Sequence, residues 1–516
     1  MSTNVQYFVR LTTDPSSPID LTDDITRMSI SRALANDQNN LGKGSAGLSI
    51  DDPEGIYVPE RDPRMRLNGE VEIQATTANS GEFFKLDTSR LDQDPMTDFQ
   101  TLFRGFIERI TTYPSIEGGR RMAVSCGDRV KTLRRRTVNT TVQTDIVVSS
   151  LAALAFDVAN VPVTAYSIDP ISDSIPLAWY DDRDLLNVLS ELIEAGGYSA
   201  YVTGEGVLRL RDRFFDIGAT VTASYDQFYS LTHAITDGGT INRVKLQAEP
   251  RRIVDSLQAI TSLPTAVAIE PGQALDFFVT YQDPRNQESA PAVNVATPAA
   301  GTDWTLNAAD NGSGANLTGT GSLSIYAFAE AAKVSVFNGA VQLAYLTKLE
   351  LRGQPVVRDS RISIETEDEA SVEEFGAHDR TTLNRLWGSF DQLASRASDL
   401  ISLNAQPRPA ISATIRNAYP AIIETDIGDA IHITNSYAGI DDQFTVISID
   451  HDISADGGWV HQVSYGLERS REFDTLVLNS MTRGILDTNR LGRASRIVIG
   501  DYPVVHEMGE EDLLDI

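Results

Sequence analysis

The amino-acid sequence predicts a mainly β protein with a smaller α/β part and an inserted β-sandwich. Three observations carry that prediction. Short runs of alternating polarity recur along the chain between Gly, Asn, Asp and Pro, as half-buried antiparallel strands require. Only three segments space their apolar residues as helices do. Between residues 256 and 345 charge thins out and Ala, Gly, Thr, Ser and Asn take over, the texture of a small antiparallel sandwich with polar loops. A chain of 516 residues is too long for one core, so about three or four domains are expected.

The first strands are "EVEIQATT" at 70–77, "FRGFIERITTY" at 103–113 and "RMAVSCGD" at 121–128. Residues 145–159, "DIVVSSLAALAFDVA", form the first helix. The second, 182–195, puts Leu185, Leu186, Leu189, Leu192 and Ile193 on one face, with Asp181 and Asp182 as caps and Gly196-Gly197 as its stop. Strands follow at 207–215 and 242–249, and then the low-charge insert. A third helix is expected over 380–402, with Leu383, Leu386, Trp387, Phe390, Leu393 and Ala394 as its stripe. Gly388 weakens it, and Pro407 and Pro409 lie beyond its end. "DAIHITN" (429–435), "FTVISIDHDIS" (444–454) and "HQVSYGLE" (461–468) return to strand. The divisions that follow are 1–140, mainly β; 141–250, an α/β domain with return strands; 251–356, the sandwich; and 357–470, a second β domain. Residues 471–516 form an acidic extension, expected to lie over a neighbour or to be partly disordered.

The formal net charge is −29, with 72 acidic against 43 basic residues, and lysine is confined to Lys43, Lys85, Lys131, Lys245, Lys333 and Lys348. A field this negative argues against wrapping nucleic acid, which requires phosphates to be neutralised by Lys and Arg. The acidity reads first as a solubility feature, or as the bias of a salty or GC-rich host. A second reading is a surface past which DNA slides without sticking. No apolar run approaches the ~18–20 residues that cross a bilayer, so no membrane insertion is expected. The N-terminus has no basic region followed by an apolar core, so folding in the cytosol is expected. Cys126 is the single cysteine, which excludes an internal disulfide and a multi-cysteine zinc site. It shares strand parity with Met122 and Val124, as a buried structural thiol would.

Each constellation that could carry chemistry fails on spacing or parity. "DNGSGANLTGTGS" (310–322) lacks the Gly-Lys-Ser/Thr ending of a phosphate loop and the spaced acids of a calcium loop. "GKGSAG" (42–47) has Lys43 where a nucleophile elbow around Ser45 needs Gly. The nearest approach to a metal cluster is Asp450-His451-Asp452 with His432 and His461. There His451 shares parity with Ile447, Ile449 and Ile453, while the two aspartates face the other way. The acids Glu367, Asp368, Glu369, Glu373 and Glu374 crowd one charged run, which reads as a solvated face or helix start, unlike the cleft of a glycosidase. No catalytic, cofactor-binding or metal-ligating residue is assigned, no cofactor is expected, and the chain is read as a non-enzyme.

Four stretches, taken in order, resemble the tail tip hub (baseplate hub, or minor tail) proteins of tailed bacteriophages. The first is "ISRALANDQNNLGKGSAGLSIDDPEGIYVPERDPRMRLNGEVEIQA", with Leu48 and Ile50 in its strand. The second is "LFRGFIERITTYPSIEGGRRMAVSCGDRVKTL", matching through Phe103, Gly105, Ile107, Asp128 and Leu133. The third, "DEASVEEFGAHDRTTL", matches through Ser371, Phe375 and Gly376. The fourth is the closing run from Gly428 and Asp429 through a hairpin at Gly457-Gly458. The low-charge insert is similar to the sandwich that some of these hubs carry. Together these cover about three-quarters of the chain.

The resemblance implies two tail-tube-like β-barrel hub domains, 1–140 and 357–470, flanking the α/β domain and the inserted sandwich. It implies a homotrimeric ring at the virion tail tip, assembled in the host cytoplasm, through which DNA passes on ejection. Partners would be other copies of the chain, distal tail and tube proteins, the tape measure protein, and tip fibre or spike proteins, with DNA bound only in transit. The rival readings are a tail-associated cell-wall hydrolase and a receptor-binding adhesin using the sandwich, whose aromatics Trp304, Tyr326 and Tyr345 form no cluster in sequence.

Overall fold

The computed structural model describes residues 4–470 apart from 14–16, 35–40, 42–43, 79–98, 115–119, 172, 213–220, 236–238 and 456–457, together with the dipeptides at 497–498 and 505–506. Most of the 471–516 extension and Gly457 of the closing hairpin therefore lie outside the described residues. The chain is mostly β, in several sheets.

The N-terminal lobe holds β1 (Asn4–Leu11), β2 (Ile19–Asp20), β3 (Ile25–Ala33), β4 (Ser45–Asp51), β5 (Glu70–Ala78), β6 (Gln100–Pro114) and β7 (Arg120–Gly127). Alternation decides which side is buried: Ala46, Leu48 and Ile50 of β4, with Met122, Val124 and Cys126 of β7, face one core. The 15-residue β6 is shared between two partners. Its first half, up to Phe106, pairs with β5 and its second half, from Phe106 on, pairs with β7, and just past the changeover a bulge in the β7 ladder leaves Glu108 unopposed. A bulge bends and twists its strand, so β6 is the corner at which the lobe folds over its core. The Phe103-x-Gly105-x-Ile107 run builds this corner. Phe103 and Ile107 are buried, and a Cβ on Gly105 would stand 2.4 Å from the Gly127 carbonyl oxygen.

The middle of the chain carries α1 (Val130–Leu133), α2 (Val148–Val158), β8 (Tyr166–Ile168), α3 (Leu185–Gly196), β9 (Ser199–Val202) and β10 (Leu208–Arg211). Asp128 accepts from the N–H groups of Gly44 and Val130, so it ties the start of β4 to the entry of α1, whose Leu133 is buried. The cap of α3 is Asp184, not Asp181 or Asp182: its carboxylate accepts from the N–H of Leu186 at 2.9 Å. The expected stop holds, with Gly197 left-handed at φ 70°.

Next come β11 (Val221–Tyr225), β12 (Ser230–Ile235) and β13 (Arg243–Ala248). In the low-charge insert, β14 (Ala274–Thr280), β15 (Gly321–Ala327) and β16 (Ala331–Asn338) form one sheet, ordered β14-β16-β15. A second sheet is built along the 15-residue β17 (Ala344–Arg358). The two sheets enclose one apolar cluster, with Trp304, Leu306, Val334 and Leu346 inside. The insert meets the α/β part where Trp179 donates to Glu330 at 2.8 Å and lies beneath the Arg251 guanidinium.

After β18 (Ile362–Glu367) and α4 (Glu369–Phe375), residues 379–383 form a strand, β19 (Asp379–Leu383), and the third helix, α5, runs only from Phe390 to Asn404. The expected start at 380 is thus wrong by ten residues. Thr381 and Thr382 favour a strand, and β19 adds parallel to β13. Gly388 packs where a Cβ would stand 2.6 Å from Pro176. Ser389 then caps α5 by accepting from Gln392 N–H. Leu383 and Phe390, assigned to the buried stripe, are exposed, whereas Leu393, Ala397 and Leu400 are buried.

The C-terminal lobe consists of β20 (Pro409–Arg416), β21 (Ala430–Asn435), β22 (Ile440–Ser454) and β23 (Val460–Arg469), joined by β11 and β12. The two expected barrels are not separate closed units. Both lobes lie in one 13-stranded sheet ordered β12-β20-β23-β22-β3-β4-β7-β6-β5-β1-β2, with β21 and β11 branching from β22, and among the described residues no sheet closes on itself. The reason is that the free edge of β3 pairs with β22 of the other lobe instead of closing the first.

Candidate assembly interface

The two lobes repeat one strand order. The N-terminal lobe runs β3-β4-β7-β6-β5-β1, and the C-terminal lobe runs β12-β20-β23-β22-β21-β11. Like β6, β22 is 15 residues long, with a mid-strand bulge that leaves Ile447 unopposed. Its first half pairs with β21, as the first half of β6 pairs with β5. The outermost pairing differs, since β1 runs antiparallel to β5 and β11 parallel to β21. Because of the bulge, Ile447 does not share the buried face of His451 that strict alternation predicts; Val446 is buried instead.

Three kinds of contact hold the lobes together where β3 meets β22. The first is the ladder, Arg27↔Ser454 through Ala33↔Ser448, continued by the Leu34 N–H, which donates to the Ile447 carbonyl at 2.7 Å. The second is ionic. Buried Arg32 of β3 reaches Asp426 at 2.5 Å, in the turn whose Gly428 and Asp429 open β21. The Arg27–Asp452 pair at 2.7 Å is solvent-exposed and worth little.

The third is a buried hydrogen-bonded chain. His451 Nδ1 lies 2.9 Å from His461 Nε2, His461 Nδ1 lies 2.9 Å from Tyr7 Oη, and Tyr7 Oη lies 2.8 Å from Tyr419 Oη. Tyr7 belongs to β1, while the two histidines belong to β22 and β23, so the chain spans both lobes. His451 Nε2 is buried without a partner among the described residues. A stranded N–H is tolerated less well than a bare lone pair, which puts the His451 proton on Nδ1. It donates to His461, which donates to Tyr7, which donates to Tyr419. Burial drives both imidazoles toward the neutral form. His461 is pushed down to about 3, and His451 lies well below its ordinary value, lowered also by His461 and Arg32. His432, placed with these residues by sequence, sits on β21, beside the other end of β22, and pairs with Asp441 at 2.9 Å.

The remaining candidates have structural places. Burial, then Glu108, raises the Cys126 thiol to about 12, which removes the thiolate a nucleophile needs. Ser45 opens β4, with no elbow and helix after it. Asp368 caps α4, whose Ser371 is buried. Buried Asn242 donates to Ser371 Oγ at 3.1 Å and to the Gly376 carbonyl at 2.7 Å, and accepts from His378 N–H at 2.7 Å. The Ser371-x-x-x-Phe375-Gly376 run is therefore the clasp that fastens α4 to β13. In the insert Trp304 is buried, but the fold brings Phe278 of β14 beside Phe328, which follows the end of β15, and Phe328 lies 5.0 Å, centroid to centroid, from Tyr326 of β15. Sequence reasoning missed this cluster, because Phe278 joins the neighbouring Tyr326 and Phe328 only through the register of β14, β15 and β16.

No family model and no curated protein matches the chain. Among solved structures it is similar to a tail protein from Neisseria meningitidis MC58, at 9% identity over 90% of this chain and 96% of that one, with a TM-score of 0.47. It is also similar to the 43 kDa tail protein of prophage MuSo2 from Shewanella oneidensis, at 8% identity over 90% and 98% of the two chains, TM-score 0.46. A third is prophage tail protein gp18 from Listeria monocytogenes EGD-e, at 10% identity over 90% and 94%, TM-score 0.42.

Proposed function

We propose that this chain is a non-enzymatic structural hub at the distal tip of a viral tail. Copies close into a homotrimeric ring that joins the tail tube to the tip, and DNA passes through the ring on ejection. The observation that carries this reading is the repeated lobe. Two units of one strand order, fused edge to edge in a continuous sheet, let three chains present six similar units to a sixfold tube. The motifs that resemble hub proteins support it from another side, because they are the parts that build the repeat: the β6 corner, the Asp128 tie and the Gly428-Asp429 turn.

Imaging of the assembled tail tests the reading. Three copies at the tip, contacting tube, tape measure and spike or fibre proteins, are expected; six copies, or a location on the head, would refute it. Clearing of peptidoglycan in a zymogram with the purified protein would replace it with a hydrolase.

A further inference from the structure

We infer that the outer face of the insert's β14-β16-β15 sheet is a binding site for a neutral, pyranose-based glycan. The rings of Phe278, Tyr326 and Phe328 form its platform, and Asp276 and Lys333 its polar arms. The inference goes beyond the hub role and does not depend on the ring.

The site follows from strand parity. Phe277, Ile325 and Val334 point into the apolar cluster between the two sheets of the insert, so the residues on either side of them point outward. Register lines these up. Phe278, Lys333 and Tyr326 form one row across the sheet, and Asp276, Ser335 and Ser324 form the next. Phe328, two residues beyond Tyr326, completes the group, with its centroid 5.0 Å from Tyr326 and 6.2 Å from Phe278. Phe278 is 66% exposed and Tyr326 67%, although the same insert buries Trp304 and Leu306. Rings gathered outside a core that is already filled are the kind of patch that marks an interaction site.

The polar arms are held in place beside the rings. Lys333 Nζ lies 2.8 Å from Asp276, and Ser335 Oγ donates to the same carboxylate. The bond from Lys333, then that from Ser335, holds the Asp276 carboxyl below its ordinary value, so it stands as an acceptor. The Lys333 ammonium carries three donors, of which the Asp276 pair engages one.

This pattern matches a pyranose, which has a C–H face and a rim of hydroxyls. The C–H face stacks on an aromatic ring, and the rim then meets acceptor and donor groups beside it. Rows two residues apart are about 7 Å apart along a strand, so a sugar on the rings has Lys333 beside it and Asp276 one row away. Nucleic-acid bases also stack on aromatic rings, but their backbone needs cations. Between residues 256 and 345 the only basic residues are Arg285 and Lys333, against seven acids. The same balance disfavours an anionic polysaccharide, which leaves a neutral one. A protein partner would want a centre depleted of charge. Here the central strand presents Lys333, and beyond the rings and its ion pair the outward residues are Ala, Ser and Thr.

The test presents the full-length protein to an array of neutral hexose and N-acetylhexosamine oligosaccharides beside sulfated and sialylated ones. Calorimetric titration with the neutral oligosaccharide of strongest signal follows. Binding in the micromolar to millimolar range is expected. Phe278→Ser with Tyr326→Ser should weaken it at least about tenfold, and Asp276→Asn several-fold, each with the thermal midpoint unchanged. Tyr437→Ser, at a fully exposed ring in the C-terminal lobe, should bind as the unsubstituted protein does. No binding to any neutral glycan, a preference for the anionic ones, or titrations that neither site variant alters would overturn the inference. Self-association that the double variant abolishes, in place of glycan binding, would overturn it too, by giving the face to a second copy. The copy number at the tail tip is read separately, so failure here and failure of the hub reading are distinct.

Discussion

Acidification should loosen the joint between the lobes, and its magnitude follows from the buried histidines. An unfolded chain holds His461 near the ordinary value of 6.5, whereas in the fold burial pushes it down to about 3. Above pH 6.5 the imidazole is neutral in both states and contributes no pH dependence. Below that, only the unfolded chain takes up the proton, so stability falls by about 1.4 kcal/mol per pH unit until the folded value is reached. At pH 5 the loss from His461 alone is about 2 kcal/mol. His451, also held neutral by burial and by His461 beside it, adds a loss of the same sign.

Carboxylates in ion pairs weaken over part of this range too, so the comparison must cancel them. Urea unfolding of the protein and of a His451→Leu, His461→Phe variant, at intervals from pH 7.5 to 4.5, does so. The stability difference between the two should shrink by at least about 2 kcal/mol between pH 7 and pH 5, to the disadvantage of the unsubstituted chain. Parallel curves would show that the imidazoles titrate in the fold as they do in the unfolded chain, and the buried chain from His451 to Tyr419 would then be wrong.

Gly105→Ala should cost about 2–3 kcal/mol, because its Cβ would overlap the Gly127 carbonyl and the Phe103 ring. Gly239→Ala, which meets nothing within 4 Å, should leave the thermal midpoint unchanged. Asn242→Ala should cost about 3 kcal/mol by stranding the partners that clasp α4, seen as faster amide exchange across 369–378. In the insert, Trp304→Ala should destabilise by about 3–5 kcal/mol, while Phe278→Ser with Tyr326→Ser should leave stability unaltered; glycan binding lost by that second pair would support the adhesin reading. Cys126 should resist thiol reagents at pH 8 in the folded protein and react fully in denaturant, and rapid native labelling would contradict its burial.

Much of the fold was legible because strand parity is local. The alternation in 121–127 and 461–467 identifies the buried side of β7 and β23, and Gly196-Gly197 marks the end of α3 by the conformation it must adopt. What failed was set by distant contacts. The strand at 379–383 is a strand because β13 offers it an edge, and Gly388 is forced by Pro176 from another part of the chain. Ile447 left its expected face because a bulge, which changes parity, has no signature in the sequence around it.

The repeat itself was hidden for a related reason. Both lobes relieve crowding at their corner with glycine, but at different registers. Gly127 makes room for the side chain of Glu108, and Gly466 for the hydroxyl of Ser448. Two positions apart in the equivalent strands, they leave no shared pattern to align. What the lobes share is the bulge after the middle of a 15-residue strand and the half-filled edge beyond it. In β22 that edge is taken by β3, with Arg32 and the His451–His461–Tyr7 chain buried behind the seam. In β6 no strand takes it among the described residues, and Thr112 stands where His451 would be. Acid should therefore act first where β3 meets β22, because the C-terminal lobe buries two imidazoles behind its bulged strand and the N-terminal lobe contains no histidine.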